Sequence, residues 1–115
     1  MRHFLASDAV QPSDRWWMAF PQGARFGKAD RPALVDALQK ADAAPAAVWL
    51  STEYSDWPEL LRTVLAQAPS ARVVVVSGVP EDREGLRAIN EGARAYCHLF
   101  AVPEMLQEVA VVVQH

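Results

Sequence analysis

The residues of this chain that could do chemistry are polar side chains that follow apolar segments. Ser7 and Asp8 follow the first such segment, Ser51 follows the third, and Ser77 follows a run of valines. In parallel α/β sheets, ligands and reacting groups lie at the carboxyl ends of the strands. Three hydroxyls and one carboxylate predict a polar crevice of low charge. The single carboxylate, that of Asp8, is too little to hold a hard cation such as Mg²⁺. We therefore expect no metal site and no cofactor.

A nucleophile and a base are adjacent in the chain at Cys97 and His98. Both lie on a predicted strand, where neighbouring side chains point to opposite faces, so they cannot act as a pair. We expect Cys97 to be a buried structural residue. His3, His98 and His115 lack metal-ligand spacing, and the sequence contains no G-x-S-x-G, P-loop or G-x-G-x-x-G motif. The sequence therefore predicts no enzymatic activity.

Five β-strands are predicted, each followed by a helix. The strands cover residues 2–7, 24–27, 46–50 and 72–77, and a short segment that contains Cys97 and His98. The valines at 73–76 suit a strand that is buried on both faces of a parallel sheet. Helices that alternate with strands imply layers on both faces of that sheet. The pattern predicts one α/β domain over residues 1–115.

Capping residues and prolines set the predicted helix boundaries. Ser13 or Asp14 caps a short helix that reaches Phe20, and Asp30 caps a second helix over residues 32–40. Apolar residues at helical spacing should face the sheet. They are Leu34, Val35 and Leu38; then Leu60, Leu61, Val64, Leu65 and Ala68; and, in the last helix over residues 102–113, Val102, Met105 or Leu106, Val109 and Val113.

Trp16 and Trp17 are neighbours on the short first helix. Two adjacent helical residues cannot both face the core, so one of them should be partly exposed. The exposed ring could mark a partner contact or one side of the crevice rim, although packing alone also explains it. Trp49 lies inside a predicted central strand and should belong to the core.

Two acids, Glu53 and Asp56, follow the third strand closely enough to reach the crevice if the loop runs one residue differently. The pattern Asp56-Trp57-Pro58-Glu59 is typical of a helix start, with a cap, a first-turn proline and a first-turn acid. We therefore favour a structural role for these charges.

The segment from Arg72 to Leu106 resembles the last third of a bacterial response-regulator receiver domain. In that family a Ser or Thr ends the fourth strand, and a Gly-Ala-Arg-x-Tyr segment leads into the fifth. Here these are Ser77 and Gly92-Ala93-Arg94-Ala95-Tyr96. The resemblance implies a flavodoxin-like sheet of five parallel strands in the order 2-1-3-4-5, with helices on both faces. It also implies that Ser77 and Tyr96 are switch residues.

The sequence departs from the phosphorylation site that the resemblance implies. Receivers place acidic residues after the first strand, a phosphate-accepting Asp at the end of the third and a Lys after the fifth. Here only Asp8 remains of the acids, Ser51 stands at the acceptor position, and Leu99 stands at the Lys position. A serine hydroxyl cannot form an acyl phosphate, and leucine cannot neutralise a phosphoryl oxygen. We interpret the chain as a degenerate receiver, a pseudo-receiver that is not phosphorylated.

The resemblance also predicts which surface makes contacts. In receivers the fourth helix, fifth strand and fifth helix form the dimerisation and output surface, and here we expect it to include Leu86, Ile89, Val111 and Val112. The chain is most similar to LuxR-type transcription factors, in which a linker and a DNA-binding domain would follow. The predicted function is signal transduction or transcription regulation through a protein partner or a homodimer.

A small-ligand sensor is the alternative function, because loss of the charged site could open the crevice. Ser7, Ser51 and Ser77 would offer hydroxyls, and Leu99 and Trp57 would offer apolar walls. A ligand sensor should show an open pocket with convergent polar groups. An interaction module should instead show a filled crevice and a dimer through the terminal elements.

Composition limits the kind of partner. The 115 residues carry a formal net charge of -3 and one cysteine. That charge gives no electrostatic footprint for nucleic acid or for an anionic membrane. One cysteine cannot form an internal disulfide, and no segment approaches the ~20 apolar residues of a membrane span. We expect a cytoplasmic domain that contacts neither a membrane nor nucleic acid directly.

Overall fold

Five parallel strands form one sheet in the computed structural model, which describes residues 1–9, 14–40 and 45–114. The strands are β1 (Arg2–Ala6), β2 (Ala24–Phe26), β3 (Ala46–Ser51), β4 (Arg72–Ser77) and β5 (Ala95–His98). The helices are α1 (Arg15–Ala19), α2 (Arg31–Lys40), α3 (Trp57–Gln67), α4 (Asp82–Asn90) and α5 (Pro103–Gln114). A 3₁₀ turn at Lys28–Asp30 precedes α2. Within the described ranges, no helix has the length and apolarity needed to cross a bilayer.

The strand order is β2-β1-β3-β4-β5, with every neighbouring pair parallel. Leu5 lies opposite Trp49, and Trp49 lies opposite Val74, so β1, β3 and β4 form the centre of the sheet. The predicted fold class and strand order are confirmed. The winding direction reverses between β1 and β3, which places the carboxyl ends of these strands at the crevice expected for such sheets.

Both faces of the sheet are covered, as the four valines of β4 predict. Val73 and Val75 pack in a cluster with residues of α2, α3 and α4, while Val74 and Val76 pack with residues of α1 and α5. All four side chains are fully buried, and so is Trp49. The alternation follows from the period of two along a strand.

The apolar stripes of the helices face the sheet except at Val35 and Val102, and Val35 is half-buried outside both core clusters. The buried members are Leu34 and Leu38 in α2, Leu60, Leu61 and Val64 in α3, and Leu106, Ala110 and Val113 in α5. The structure selects Leu106 over Met105 as the core residue. The prediction for Val102 is wrong, because α5 begins at Pro103 and leaves Val102 about half exposed in the preceding loop.

The helix starts differ in part from their predictions. Asp30 does not cap α2. It lies in the 3₁₀ turn, where its carboxylate accepts a hydrogen bond from the Gly27 N–H at 3.4 Å. The first helix begins directly after Asp14, and Ser13 lies outside the described residues. Trp16 is buried and Trp17 is half-buried, which confirms that only one of the two rings faces fully inward.

Candidate functional site

Three serines lie at the carboxyl ends of the central strands. Ser7 follows β1, Ser51 ends β3 and Ser77 ends β4, and their exposed fractions are 0%, 2% and 2%. Each hydroxyl accepts a hydrogen bond from the N–H group two residues later. The donors are Ala9 at 3.0 Å, Glu53 at 3.2 Å and Val79 at 3.2 Å. The serines therefore stabilise the turns that end the strands.

Glu53 reaches into the crevice, which corrects the preference for a purely local role at the start of the next helix. Its carboxylate accepts one hydrogen bond from the Ser7 hydroxyl and another from the Asp8 N–H at 3.1 Å. The side chain therefore joins the loop after β3 to the loop after β1. The resemblance expects acids after the first strand, and the Glu53 carboxylate, which follows the third, bonds to Ser7 and Asp8 there.

Asp8 is exposed, but its carboxylate is engaged by the protein. One oxygen accepts hydrogen bonds from the Tyr54 hydroxyl at 2.5 Å and from the Lys28 N–H at 3.0 Å. These two bonds, the one from Tyr54 above all, hold the pKa of Asp8 below its usual value. Burial, and then the bond to Asp8, raise the pKa of Tyr54.

Gly27 permits this approach of the 3₁₀ turn to Asp8. A Cβ atom at position 27 would lie 2.3 Å from the Asp8 carboxylate oxygen Oδ1, a distance that real atoms do not adopt. With a larger residue at position 27, the Asp8 carboxylate or the turn would have to move. The close contact explains why glycine precedes the turn.

Asp56 forms an ion pair instead of a helix cap. It occupies the position before α3, but its carboxylate makes no capping hydrogen bond there. Both of its oxygens accept bonds from the Arg31 guanidinium, at 2.6 and 3.0 Å. This pairing lowers the pKa of Asp56 and raises that of Arg31. The Cζ atom of the same guanidinium lies 4.9 Å from the centroid of the Tyr54 ring. Because Tyr54 also bonds to Asp8, the Arg31–Asp56 ion pair connects the Asp8 contacts to the start of α2.

Leu99 does not point into the crevice. Its exposed fraction is 4%, and it packs in the apolar cluster that includes Trp16 and Leu106. The position that the resemblance assigns to a lysine is therefore part of the core. Among the residues that the structure describes, no group of three or more His, Cys, Asp or Glu side chains is placed to hold a metal ion. The carboxylates of Asp8 and Glu53 both accept hydrogen bonds from the protein itself.

Tyr96 is half-buried on β5 and is fixed by the start of α4. Its hydroxyl donates to the Glu84 carboxylate at 2.6 Å and accepts from the Glu81 N–H at 3.0 Å. Burial first, and then the contact with Glu84, raise the pKa of Tyr96, while the Glu81 N–H and the Ser77 hydroxyl act in the opposite direction. The Ser77 hydroxyl therefore lies near the Tyr96 hydroxyl, and the switch role of the two residues stays a prediction.

The four residues predicted for the contact surface are exposed, but they lie in different places. Leu86 and Ile89 are 66% and 48% exposed on α4. Val111 and Val112 are 56% and 70% exposed on α5, and adjacent helical residues point about 100° apart. Val111 shares a side with Gln107, whose amide donates to the Ala19 carbonyl in α1 at 3.1 Å. Val112 therefore points away from α1.

Cys97 and His98 lie on opposite faces of β5, but Cys97 is less buried than predicted. Cys97 is half-buried, and burial raises the pKa of its thiol to about 11. His98 is exposed on the other face of β5, and its Nδ1 accepts a bond from the Phe100 N–H at 3.0 Å. His3 is packed against Phe20 and accepts a bond from Trp49 Nε1 at 3.1 Å. His115 lies outside the described residues.

Sequence reasoning missed four members of the crevice network: Arg25, Lys28, Arg31 and Tyr54. The available signal was the polar run that directly follows β3, which contains both Glu53 and Tyr54. Nothing local marks Lys28 or Arg31, because their role depends on the 3₁₀ turn that brings them beside the neighbouring strand ends.

Comparison with solved structures identifies the fold. A response regulator from Thermotoga maritima aligns with a TM-score of 0.77 and 14% identity, over 99% of this chain and 98% of that one. A CheY-like protein from Pseudomonas aeruginosa gives a TM-score of 0.70 and 17% identity, over 99% and 94% of the two chains. A CheY-like receiver domain protein from Methanospirillum hungatei gives 0.67 and 17%, over 97% and 92%.

No protein-family model matches the sequence, and no curated protein matches it. The structural likeness extends over nearly the whole chain at low identity. This chain therefore has the flavodoxin-like fold of CheY-like response-regulator receiver domains.

Proposed function

We propose that this chain is a signal-transduction module of the response-regulator type that works through protein contacts and is not phosphorylated. The main support for this proposal is the residue at the end of β3. Ser51 stands there in place of an acceptor carboxylate, and its hydroxyl accepts a hydrogen bond from the Glu53 N–H. The likeness to receiver folds supports the role in signalling. The crevice chemistry supports the absence of phosphorylation.

The filled crevice favours protein contact over ligand sensing. Ser7, Ser51 and Ser77 are almost completely buried and already bonded, so their hydroxyls do not converge on an open space. Leu99 and Trp57, the proposed apolar walls, are 4% and 8% exposed and belong to the core. These observations argue against a ligand-sensing crevice.

The finer parts of the proposal concern class and cellular context. The segment of residues 92–96 supports a LuxR-type relationship, and with it a role in transcription regulation in the cytoplasm. Isolation of the complete gene product tests this class, because a LuxR-type regulator carries a helix-turn-helix domain after its receiver. A product without a DNA-binding domain would contradict the transcriptional role.

The decisive experiment is incubation with acetyl phosphate and magnesium, followed by measurement of the intact mass. The mass should stay unchanged, while a receiver with an intact acceptor Asp, treated in parallel, should gain one phosphoryl group. An acid-labile gain in this protein that disappears in Glu53→Gln or Asp56→Asn would refute the proposal. Magnesium should also leave the tryptophan fluorescence unchanged below millimolar concentration.

A further inference from the structure

We propose that the groove between α2 and α3 binds an uncharged, largely apolar small molecule. The groove has a volume of about 500 Å³ and lies on the sheet face that these two helices cover. Pockets that hold small ligands in proteins measure about 300–1,000 Å³, so the groove has the required size. The inference goes beyond the proposed function, because it adds a ligand to a module that works through protein contacts, and neither depends on the other.

Two rows of side chains, one on each helix, line the groove. Pro32 and Val35 are three residues apart on α2, and Leu60 and Thr63 are three residues apart on α3. Side chains at this spacing lie on the same side of a helix, so the two rows face each other. Proline, valine and threonine are short side chains, and they leave the space between the helices unfilled. The result is a mainly apolar groove above the core.

Side-chain hydrogen bonds join the two helix regions at both ends of the groove. At the amino-terminal end, the Arg31 guanidinium donates to the two Asp56 carboxylate oxygens at 2.6 and 3.0 Å. At the carboxyl-terminal end, the Gln39 amide donates to the Gln67 side-chain oxygen at 2.9 Å. From Arg31 to Gln39 the helix rises only about 12 Å. A stretch of this length suits a compact small molecule better than a helix or strand of a partner protein.

Each charged residue among the described lining of the groove already has a partner of opposite charge. Arg31 pairs with Asp56, and the Glu59 carboxylate lies 3.4 Å from the Arg62 guanidinium. A charged ligand would lose hydration on entry and would find no free counter-ion to replace it. The groove therefore favours an uncharged molecule.

The Thr63 hydroxyl is the polar group that can orient the ligand. It lines the groove and makes no hydrogen bond to any other residue that the structure describes. A hydroxyl both donates and accepts, so it can bond either to an N–H or O–H group or to a carbonyl. An apolar ring system with one such group would fit both the walls and the hydroxyl.

Indole and indole carboxylate are suitable probes, because they share a ring system and differ in charge. Titration of the methyl-labelled protein with indole should give saturable NMR shifts at Val35, Leu60 and Thr63. Indole carboxylate should bind at least about tenfold more weakly, because its charge is desolvated without a partner. Thr63→Val removes the hydroxyl at nearly constant volume and should weaken indole about twofold to tenfold.

Two substitutions on α3 locate the site. Thr63→Trp fills the groove and should abolish the shifts, whereas Ala66→Trp, at an exposed residue of the same helix outside the groove, should retain them. Circular dichroism should show the same helix content in both variants. The pair separates occupation of the groove from a general effect of an added indole ring on α3.

Four results would each overturn the inference: no saturable shift with indole, equal affinity for the two probes, shifts confined to α4 and β5, or binding that persists in Thr63→Trp. A parent dimer in sedimentation that Thr63→Trp dissociates would also overturn it, because a second copy would then occupy the groove. None of these outcomes bears on phosphorylation, so the proposed function is judged separately.

Discussion

The Glu53 carboxylate accepts a hydrogen bond from the buried Ser7 hydroxyl, which lies 46 residues earlier in the chain. This contact joins the ends of β3 and β1. The same carboxylate also accepts the Asp8 N–H. The Glu53 side chain thus links the loop after β3 to the loop after β1.

Replacing Glu53 with Ala should destabilise the domain by about 1–3 kcal/mol, because the buried Ser7 hydroxyl loses its acceptor. Urea unfolding at neutral pH measures the change. Glu108→Ala, which removes an exposed carboxylate in the middle of α5, is the control and should change stability by less than about 0.5 kcal/mol. Equal stability of the parent and the Glu53 variant would show that this contact does not hold the loops together.

Replacing Val75 with Asp should unfold the domain or destabilise it by more than about 4 kcal/mol. The side chain is fully buried at the centre of β4, and an aspartate there would be a charge without a partner. Circular dichroism and thermal unfolding measure the effect. Val79→Asp makes the same chemical change at a residue 83% exposed in the next loop and should fold normally. A folded, soluble Val75→Asp protein would contradict the assignment of β4 as a buried strand.

His3 should make stability depend on pH below neutrality. Burial, and then the positive charge of the N-terminus, lower its pKa from 6.5 to about 4. Between these values the unfolded chain binds a proton that the folded chain excludes, so stability is complete above pH 6.5 and falls as the pH approaches 4.

The comparison of parent and His3→Gln proteins at pH 7 and pH 5 isolates this effect. The parent should lose about 1 kcal/mol more than the variant, after allowance for the partial exposure of the ring. NMR titration of the His3 ring protons gives the pKa directly. A His3 pKa near 6.5, or identical pH profiles for the two proteins, would show that the ring is not desolvated.

Self-association, if it uses α5, should depend on Val112 more than on Val111. Val112 is 70% exposed and lies on one stripe with Met105, which is 50% exposed. Val112→Glu should lower the dimer fraction in sedimentation velocity with unchanged helix content. Val111→Glu is the matched control, because that residue lies on the side of Gln107 and α1. The prediction would be wrong if the parent protein is a monomer at every accessible concentration, or if the Val112→Glu protein dimerises as strongly as the parent.

The sequence by itself determined the sheet, its buried centre and the residues at its strand ends. Periodicity and apolar runs are local properties, and the valines of β4 can be buried only where both sheet faces are covered. The same local information identified Ser51 at the end of β3 and Tyr96 on β5. It also showed that Trp16 and Trp17 could not both be core residues.

Only the tertiary structure decided which side chains fill the crevice. The bond from Tyr54 to Asp8 spans 46 residues, and the pair of Arg31 with Asp56 spans 25. Such contacts depend on strand order and on the direction of each loop, which a helix-capping pattern does not contain. Asp56 has the sequence context of a cap, yet a guanidinium that approaches from α2 makes two charge-assisted bonds with it, whereas a cap would supply one bond from a backbone N–H.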